Sequence, residues 1–164
     1  MKVLLLSDTH SYLDDVILKH CKEADEIWHA GDFGNVNVAD RLASMKTLRG
    51  VYGNIDSQEL RLIFPQDLFF TVEGLTVLMT HIGGYPGAWP TRVLELINQN
   101  EPSVFICGHS HILKVIRDKQ HNNMLCINPG AAGKVGFHQQ RTMIRMEIEN
   151  SKIAVLEVVE LGKK

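Results

Sequence analysis

The chain opens with short apolar runs that alternate with a helical pattern. Residues 2–6 (KVLLL) are continuously apolar, which is typical of a strand buried on both faces of a sheet. Apolar residues then recur at helical spacing within residues 12–24, and a second apolar run follows at residues 26–32. A strand, a helix and a second strand in this order predict a parallel pair with a right-handed crossover.

The same alternation continues beyond the second strand. Residues 35–45 predict a helix that leads into a third strand at residues 46–54. We expect Asn37 to be the N-cap of this helix, because an asparagine side chain can accept a hydrogen bond from a backbone N–H of the first turn.

The second half of the chain is rich in strands. Residues 67–81 predict a hairpin that turns at Glu73-Gly74, and residues 91–100 predict an amphipathic helix with Pro90 near its start. Further strands are predicted at residues 103–108, 113–118, 123–128, 141–149 and 152–161. Because helices cluster early and strands late, we expect a layered α/β sandwich rather than a doubly wound sheet.

Composition and charge narrow the class of protein. With 164 residues, 45% hydrophobic and 22% charged, the sequence predicts one soluble globular domain spanning residues 1–164. The formal net charge of −2 predicts no specific nucleic-acid binding. No apolar run reaches the length of a signal-peptide core or a membrane span, so we expect a cytoplasmic protein without membrane contact. Three widely spaced cysteines predict reduced, buried thiols.

Polar residues able to bind a metal follow five of the predicted strands. These candidate ligands are Asp8, His10, Asp32, Asn54, His81, His109 and His111. The carboxyl ends of strands in α/β sheets are where ligand sites form. Taken singly, each residue is better explained as a turn, a cap or a structural histidine. The ordered set of seven is not explained in that way.

Seven nitrogen and oxygen ligands are too many for one tetrahedral zinc ion and suit two divalent ions that share a carboxylate. Two such ions bring four positive charges and two aspartates return two, so the centre would attract phosphate. A hydroxide bridging the ions could attack the phosphorus, which suits hydrolysis of a phosphate ester. The donor types fit manganese, which we prefer, and also iron, zinc, nickel or cobalt.

The motifs DTH, GD, GN, TH and GHSH, in this order, resemble those of the calcineurin-like metallophosphoesterases. The short chain and the later NPG at residues 128–130 are similar to the small bacterial and archaeal phosphodiesterase branch, and the resemblance covers residues 1 to about 145. It implies a four-layer α/β/β/α sandwich, with two mixed β-sheets flanked by helices.

The resemblance also assigns the ligands to two ions. The first ion would be held by Asp8, His10, Asp32 and His111. The second would be held by Asp32, Asn54, His81 and His109. Asp32 would bridge the ions, and Asn54 would also act in catalysis by positioning the phosphate or the attacking water.

We therefore expect a dinuclear phosphodiesterase that acts on a small phosphate-ester substrate. A phosphomonoesterase or nucleotide pyrophosphatase with the same centre is an alternative, and a non-catalytic protein-binding scaffold on this fold is another. The complete ligand set favours an enzyme over a scaffold. The sequence leaves the substrate and a homo-oligomeric state open.

One motif departs from the family pattern. Many members carry GNH, whose histidine is thought to protonate the leaving group, whereas this chain has Ile55 at that place. Asp56 would either orient groups nearby or cap the helix that follows it. In the next loop, Tyr85 and Trp89 would either line a substrate pocket or pack the loop onto the domain.

The remaining histidines are interpreted as non-catalytic. His29 lies on the second predicted strand and is expected in the core or directly behind the ligands. His20, His121 and His138 fall in helix or loop settings and are expected on the surface.

Overall fold

A computed structural model describes residues 1–164, which form four helices and ten strands. The helices are α1 (Asp15–Glu23), α2 (Val36–Ala43), α3 (Gln58–Ile63) and α4 (Thr91–Asn100). The strands are β1 (Lys2–Leu6), β2 (Glu26–His29), β3 (Thr47–Gly50), β4 (Asp67–Val72), β5 (Leu75–Thr80), β6 (Val104–Ile106), β7 (Leu113–Asp118), β8 (Met124–Pro129), β9 (Gln140–Glu149) and β10 (Lys152–Lys163).

The strands form two five-stranded mixed sheets. The first has the order β10-β9-β1-β2-β3, in which β1, β2 and β3 are parallel and β9 and β10 are antiparallel to their neighbours. The second has the order β4-β5-β6-β8-β7, in which β5, β6 and β8 are parallel. The β4–β5 hairpin turns at Glu73-Gly74, as predicted.

Three apolar clusters fill the spaces between the layers. The central cluster joins the inner faces of the two sheets, with Val3 and Leu5 of β1 packed together with Met79 and Ile106 of the second sheet. A second cluster packs α1, α2 and α3 onto the outer face of the first sheet, and a third packs α4 onto the second sheet. The predicted four-layer sandwich is confirmed.

The cap of α2 differs from the prediction. The helix begins at Val36, and Asn35, not Asn37, is its N-cap: the Asn35 side chain accepts a hydrogen bond of 3.3 Å from the Val38 N–H. Asn35 has an extended backbone, whereas Asn37 already lies within the first turn. Two asparagines two residues apart offer the same cap chemistry, so the pattern alone placed the helix start too late.

The predicted candidate ligands follow β1, β2, β3, β5 and β6, whose carboxyl ends meet at one edge of the sandwich. The two sheets approach each other closely there. A Cβ on Gly108 would overlap Ser7, and one on Gly53 would overlap Asp32, so glycine is required at both places.

No helix in the chain combines the length and the apolar character needed to cross a membrane. All three cysteines are free and buried, as predicted, and burial raises the pKa of each thiol to about 12.

Candidate metal centre

The structure brings all seven predicted ligands together at the meeting edge of the sheets. Six of them form two groups, each with one ligand atom per residue and all such atoms within 4.8 Å of one another. The groups are Asp8, His10 and His111, and Asp32, His81 and His109. Asn54 joins the second group, because its Oδ1 lies 3.1 Å from Nε2 of His81.

In the first group, Asp8 directs one oxygen toward two imidazoles. Its Oδ2 accepts hydrogen bonds from the Ser7 hydroxyl at 2.5 Å and the His109 backbone N–H at 3.1 Å. Its Oδ1 is buried without a hydrogen-bond partner and lies 3.2 Å from Nε2 of His111 and 4.0 Å from Nε2 of His10. The two Nε2 atoms are themselves 3.2 Å apart. A buried carboxylate oxygen that faces two imidazole nitrogens fits a cation site.

In the second group, the position of His81 is fixed by the backbone. Its Nδ1 lies 2.8 Å from the Ala30 carbonyl and, as the donor, leaves the Nε2 lone pair free in the neutral ring. That Nε2 faces Oδ1 of Asp32 at 3.3 Å and Oδ1 of Asn54 at 3.1 Å. His81 Nε2, Asp32 Oδ1 and Asn54 Oδ1 each direct a lone pair at the others, and only a proton or a metal ion between them relieves the repulsion. The residues present therefore fit a metal here as well.

Asp32 lies between the two groups. Its Oδ1 is next to His81 and accepts a hydrogen bond of 3.1 Å from the Ile55 N–H, whereas its Oδ2 lies 3.8 Å from Nε2 of His10. Burial alone would raise the pKa of this carboxyl, but His81 when it carries a proton on Nε2, the Ile55 N–H and His10 together hold it below its usual range. An ionised carboxylate that faces both groups has the geometry expected of a bridge, although bridging stays a prediction.

Five of the seven candidate ligands have left-handed backbones. Positive φ angles are uncommon for residues other than glycine and cost roughly 1–3 kcal/mol each. They are found here at Asp8 (54°), His10 (46°), Asp32 (58°), His109 (67°) and His111 (58°). Such strain persists where surrounding contacts over-determine the backbone, and it clusters at functional sites.

Asp56 positions the loop that carries Asn54. The carboxylate is buried and accepts hydrogen bonds from the N–H groups of Gly53 at 2.8 Å and Gly34 at 2.9 Å. It does not cap α3, because Ser57 is the N-cap of that helix. Of the two interpretations of Asp56, the cap was wrong.

Arg61 holds the same loop from its carbonyl side, and no sequence pattern indicated it. Its Nη2 donates to the carbonyls of Asn54 at 3.0 Å and Gly53 at 3.3 Å, and its Nε donates to that of Asp56 at 2.9 Å. The guanidinium also lies 4.5 Å from the Tyr52 ring centroid. Together, Asp56 and Arg61 satisfy the backbone of the Asn54 loop and fix its position.

His138, predicted to be a surface residue without a catalytic role, lies against the candidate ligand His111. It is partly buried, its Nδ1 lies 3.2 Å from Nδ1 of His111, and its Nε2 lies 3.0 Å from the Gly133 carbonyl. Burial lowers the pKa of His138. The contact joins residues 27 positions apart through an irregular loop, so no periodic pattern announces it.

His29 lies in the core behind the ligands, as expected. It is fully buried, stacks on Phe33 with 3.7 Å between ring centroids, and has Thr9 Oγ1 at 3.0 Å from its Nε2. Its Nδ1 accepts a hydrogen bond of 3.2 Å from the Gly31 N–H, next to Asp32.

The two aromatic residues of the loop after His81 have different surroundings. Trp89 packs edge-on against Phe105 and donates to Asp118 at 3.0 Å, so it anchors the loop to the domain. Tyr85 is half exposed and lines a cavity of about 240 Å³ together with His109.

A second cavity, of about 370 Å³, also adjoins the second ligand group. It is lined by Asn54 and His81, by Arg61 and Arg92, and by Ile82, which also lines the first cavity. Two cavities therefore adjoin the second ligand group and share the Ile82 side chain.

Comparison with known proteins gives one family. The chain matches the sequence model of the calcineurin-like phosphoesterase superfamily domain over residues 1–151. A probable metallophosphoesterase of Methanothermobacter thermautotrophicus is 26% identical over 167 residues, covering 99% of this chain and 94% of the relative.

Two solved structures share the fold over nearly the whole chain. A Thermotoga maritima protein solved by NMR has a TM-score of 0.76 at 26% identity and covers 98% of this chain and 99% of its own. The Zn²⁺ complex of Vps29 from Entamoeba histolytica has a TM-score of 0.74 at 16% identity and covers 98% of both chains. At that identity the likeness to Vps29 shows the fold alone.

Proposed function

Because this chain belongs to the calcineurin-like phosphoesterase superfamily, we propose that it is a dinuclear metal-dependent phosphodiesterase. The observation that carries the proposal is the buried, unpartnered Oδ1 of Asp8, which faces the Nε2 atoms of His10 and His111. A site without a cation would leave that oxygen unsatisfied at a cost of roughly 1–3 kcal/mol, more if charged.

The residues divide between two divalent ions as the family resemblance implies. Asp8, His10 and His111 would hold one ion, Asn54, His81 and His109 the other, and Asp32 both. When bound, the ions supply positive charge against the phosphoryl oxygens and an activated water. Manganese is the preferred metal, although the nitrogen and oxygen donors also accept other first-row divalent ions.

The protein's own groups then orient the ester. Asn54 directs its Oδ1 into the second ligand group, so its Nδ2 is free to donate to a phosphoryl oxygen. Asp56 and Arg61 keep that amide in place through the backbone of its loop. The exposed Ile55 side chain offers no proton to the leaving group.

A protein-binding scaffold remains the second candidate function. The likeness to Vps29 shows the shared fold alone, whereas all seven candidate ligands are present in this chain, which favours the enzyme. Metal content and hydrolysis separate the two.

The test is a matrix of metals against substrates. Chelated protein is reloaded with Mn²⁺, Fe²⁺, Co²⁺, Ni²⁺ or Zn²⁺ and assayed with an aryl phosphodiester, an aryl phosphomonoester and a nucleotide pyrophosphate. We expect the chelated protein to be inactive and the reloaded protein to prefer the diester. Asp32→Ala should abolish activity and reduce metal content, whereas Asp40→Ala, which removes an exposed helical carboxylate, should change neither. Full activity of thoroughly chelated protein would refute the proposal.

A further inference from the structure

We propose that the cavity beside Asn54 and His81 binds an anionic group of the substrate. The preferred diester would then carry a second negative charge, a carboxylate or a phosphate, on one ester arm. This inference rests on the proposed phosphodiesterase function and specifies its substrate class.

The charged side chains that line this cavity are cations. Arg61 and Arg92 contribute guanidinium groups, and no aspartate or glutamate is among the lining residues. Asp67 pairs with Arg92 from outside the lining, whereas Arg61 has no carboxylate partner. The cavity therefore has a local positive charge, although the chain as a whole carries a net charge of −2. Electrostatic complementarity therefore favours an anionic ligand.

Arg92 is held in place rather than mobile. Its Nη1 donates to Oδ2 of Asp67 at 2.5 Å, and its Nη2 donates to Oγ1 of Thr80 at 3.2 Å. A guanidinium has five N–H donors, so these two bonds leave others for a ligand. The side chain is 41% exposed, which gives a ligand access to them.

Arg61 is fixed as well. Its Nε and Nη2 donate to three backbone carbonyls of the Asn54 loop, and its guanidinium lies against Tyr52. The Nη1 group makes no hydrogen bond within the protein and remains available. Two immobilised guanidinium groups bind a carboxylate or phosphate without the entropy cost of ordering long side chains.

The location of the cavity indicates which part of a substrate would enter it. The cavity shares Asn54 and His81 with the candidate centre, so an ester arm of a phosphate held there would enter it. The cavity beside His109 is lined by Tyr85, Ile112 and a single cation, Lys114, whose Nζ lies 4.3 Å from the Tyr85 ring centroid. The two ester arms would therefore meet different chemistry, one cationic and one largely apolar.

The test uses two p-nitrophenyl phosphodiesters that differ by one charge. One carries a 2-carboxyethyl arm and the other a 2-carbamoylethyl arm of nearly the same shape. For the Mn²⁺-loaded protein, we expect kcat/KM to be about tenfold or more higher for the carboxyethyl ester, the size of one charge-assisted contact. Arg92→Gln should lower this ratio, because Arg61 is then the only guanidinium group left in the cavity, and Arg92→Lys should keep more of it.

Two further variants separate recognition from a structural role of Arg92. Asp67→Asn removes the ion pair but keeps the guanidinium, so the ratio should be retained or rise. If Arg92 only joins α4 to β4, Asp67→Asn should affect both esters in the same way as Arg92→Gln. Arg117→Gln removes an equal charge from β7, outside this cavity, and should leave the ratio unchanged.

The same preference is measured from the dissociation constants of the two esters by calorimetry, which does not require turnover. Binding that favours the carboxyethyl ester and depends on Arg92, without hydrolysis of either ester, would support this inference and refute the proposed activity. Equal kcat/KM values or equal dissociation constants for the two esters in the wild type would overturn the inference, whether or not they are hydrolysed.

Discussion

The Nδ1 atoms of His111 and His138 face each other at 3.2 Å. His138 Nε2 lies 3.0 Å from the Gly133 carbonyl, which can only accept, so Nε2 carries the proton and His138 Nδ1 is an acceptor. Its partner must therefore be the Nδ1–H of His111. The two hydrogen bonds from His111 to His138 and from His138 to Gly133 form a relay of contacts. In the neutral ring they leave Nε2 of His111 unprotonated and directed at Asp8 and His10, as a metal ligand requires.

His138→Ala should weaken the binding of one metal ion by roughly 10–100-fold, because partners behind a ligand typically contribute that much. The second ion should be affected less, since the polar partners of His138 are His111 and Gly133 and not residues of the second group. Titration of the chelated protein with metal in a calorimeter measures both affinities. His20→Ala, on α1, is the matched control. Unchanged affinities for both ions would show that the relay has no role in binding.

His109 and His111 should each contribute to a different ion. His111 belongs to the group of Asp8 and His10, and His109 to that of Asp32 and His81. We expect His109→Ala and His111→Ala each to lose about one metal equivalent, measured by elemental analysis after dialysis. If both variants retain two equivalents at normal affinity, the two histidines are not ligands.

Ile55→His should change how the rate depends on the leaving group. A positioned acid typically contributes roughly 10²–10⁴-fold, and the exposed Ile55 side chain cannot supply a proton. A plot of log kcat/KM against leaving-group pKa should have a steep negative slope for the wild type and a shallower one for Ile55→His. Ile55→Gln, which is polar but does not titrate, should keep the steep slope.

Single-turnover kinetics is the necessary companion measurement. A flat wild-type slope with chemistry rate-limiting would mean that another group protonates the leaving oxygen. Asp56 is a poor candidate for it, because its carboxylate is buried against two backbone N–H groups.

The stability of the fold should fall in mild acid because of His29. Burial lowers the pKa of His29 to about 3, whereas an unfolded histidine titrates near 6.5. Above the unfolded value neither state binds the proton. Between about pH 6.5 and 3 only the unfolded state binds it, so the free energy of unfolding decreases by an amount on the order of a few kcal/mol.

Denaturant unfolding between pH 7.5 and 4 in the presence of chelator tests this. His29→Gln should be less stable at pH 7.5, because it loses the stacking on Phe33, and its stability should depend less on pH. The difference in free energy of unfolding between wild type and His29→Gln should therefore become smaller as the pH falls. If the free energies of unfolding of wild type and variant depend on pH in the same way, a group other than His29 causes the acid sensitivity.

The layers of the fold and the composition of the candidate site could be predicted from sequence for the same reason. Buried parallel strands are continuous apolar runs, and each run here ends where a candidate ligand follows, as Leu6 does before Asp8. Placing the strands therefore also placed the ligands at one edge of the sheets. The helix start at Asn35 was missed because Asn37 carries the same cap chemistry.

Arg61 and His138 could not be found in this way. Arg61 lies in the last turn of the six-residue helix α3, where a basic residue is common. Its hydrogen bonds to the Asn54 loop depend on how α3 packs against that loop in three dimensions. His138 reaches His111 through a loop whose path is set by contacts such as the one between Gly133 and Asp8. Tertiary structure fixes both contacts, and the pattern of apolar and polar residues along the chain does not indicate them.

Each candidate ion site draws its ligands from both sheets. Asp8 and His10 follow the first sheet and His111 the second; likewise, Asp32 and Asn54 follow the first sheet and His81 and His109 the second. Metal ions bound there would cross-link the two halves of the sandwich, which elsewhere are held together mainly by apolar packing. Ion binding and the docking of the sheets would then be linked equilibria, so the free metal concentration would contribute to the free energy of unfolding of the whole sandwich.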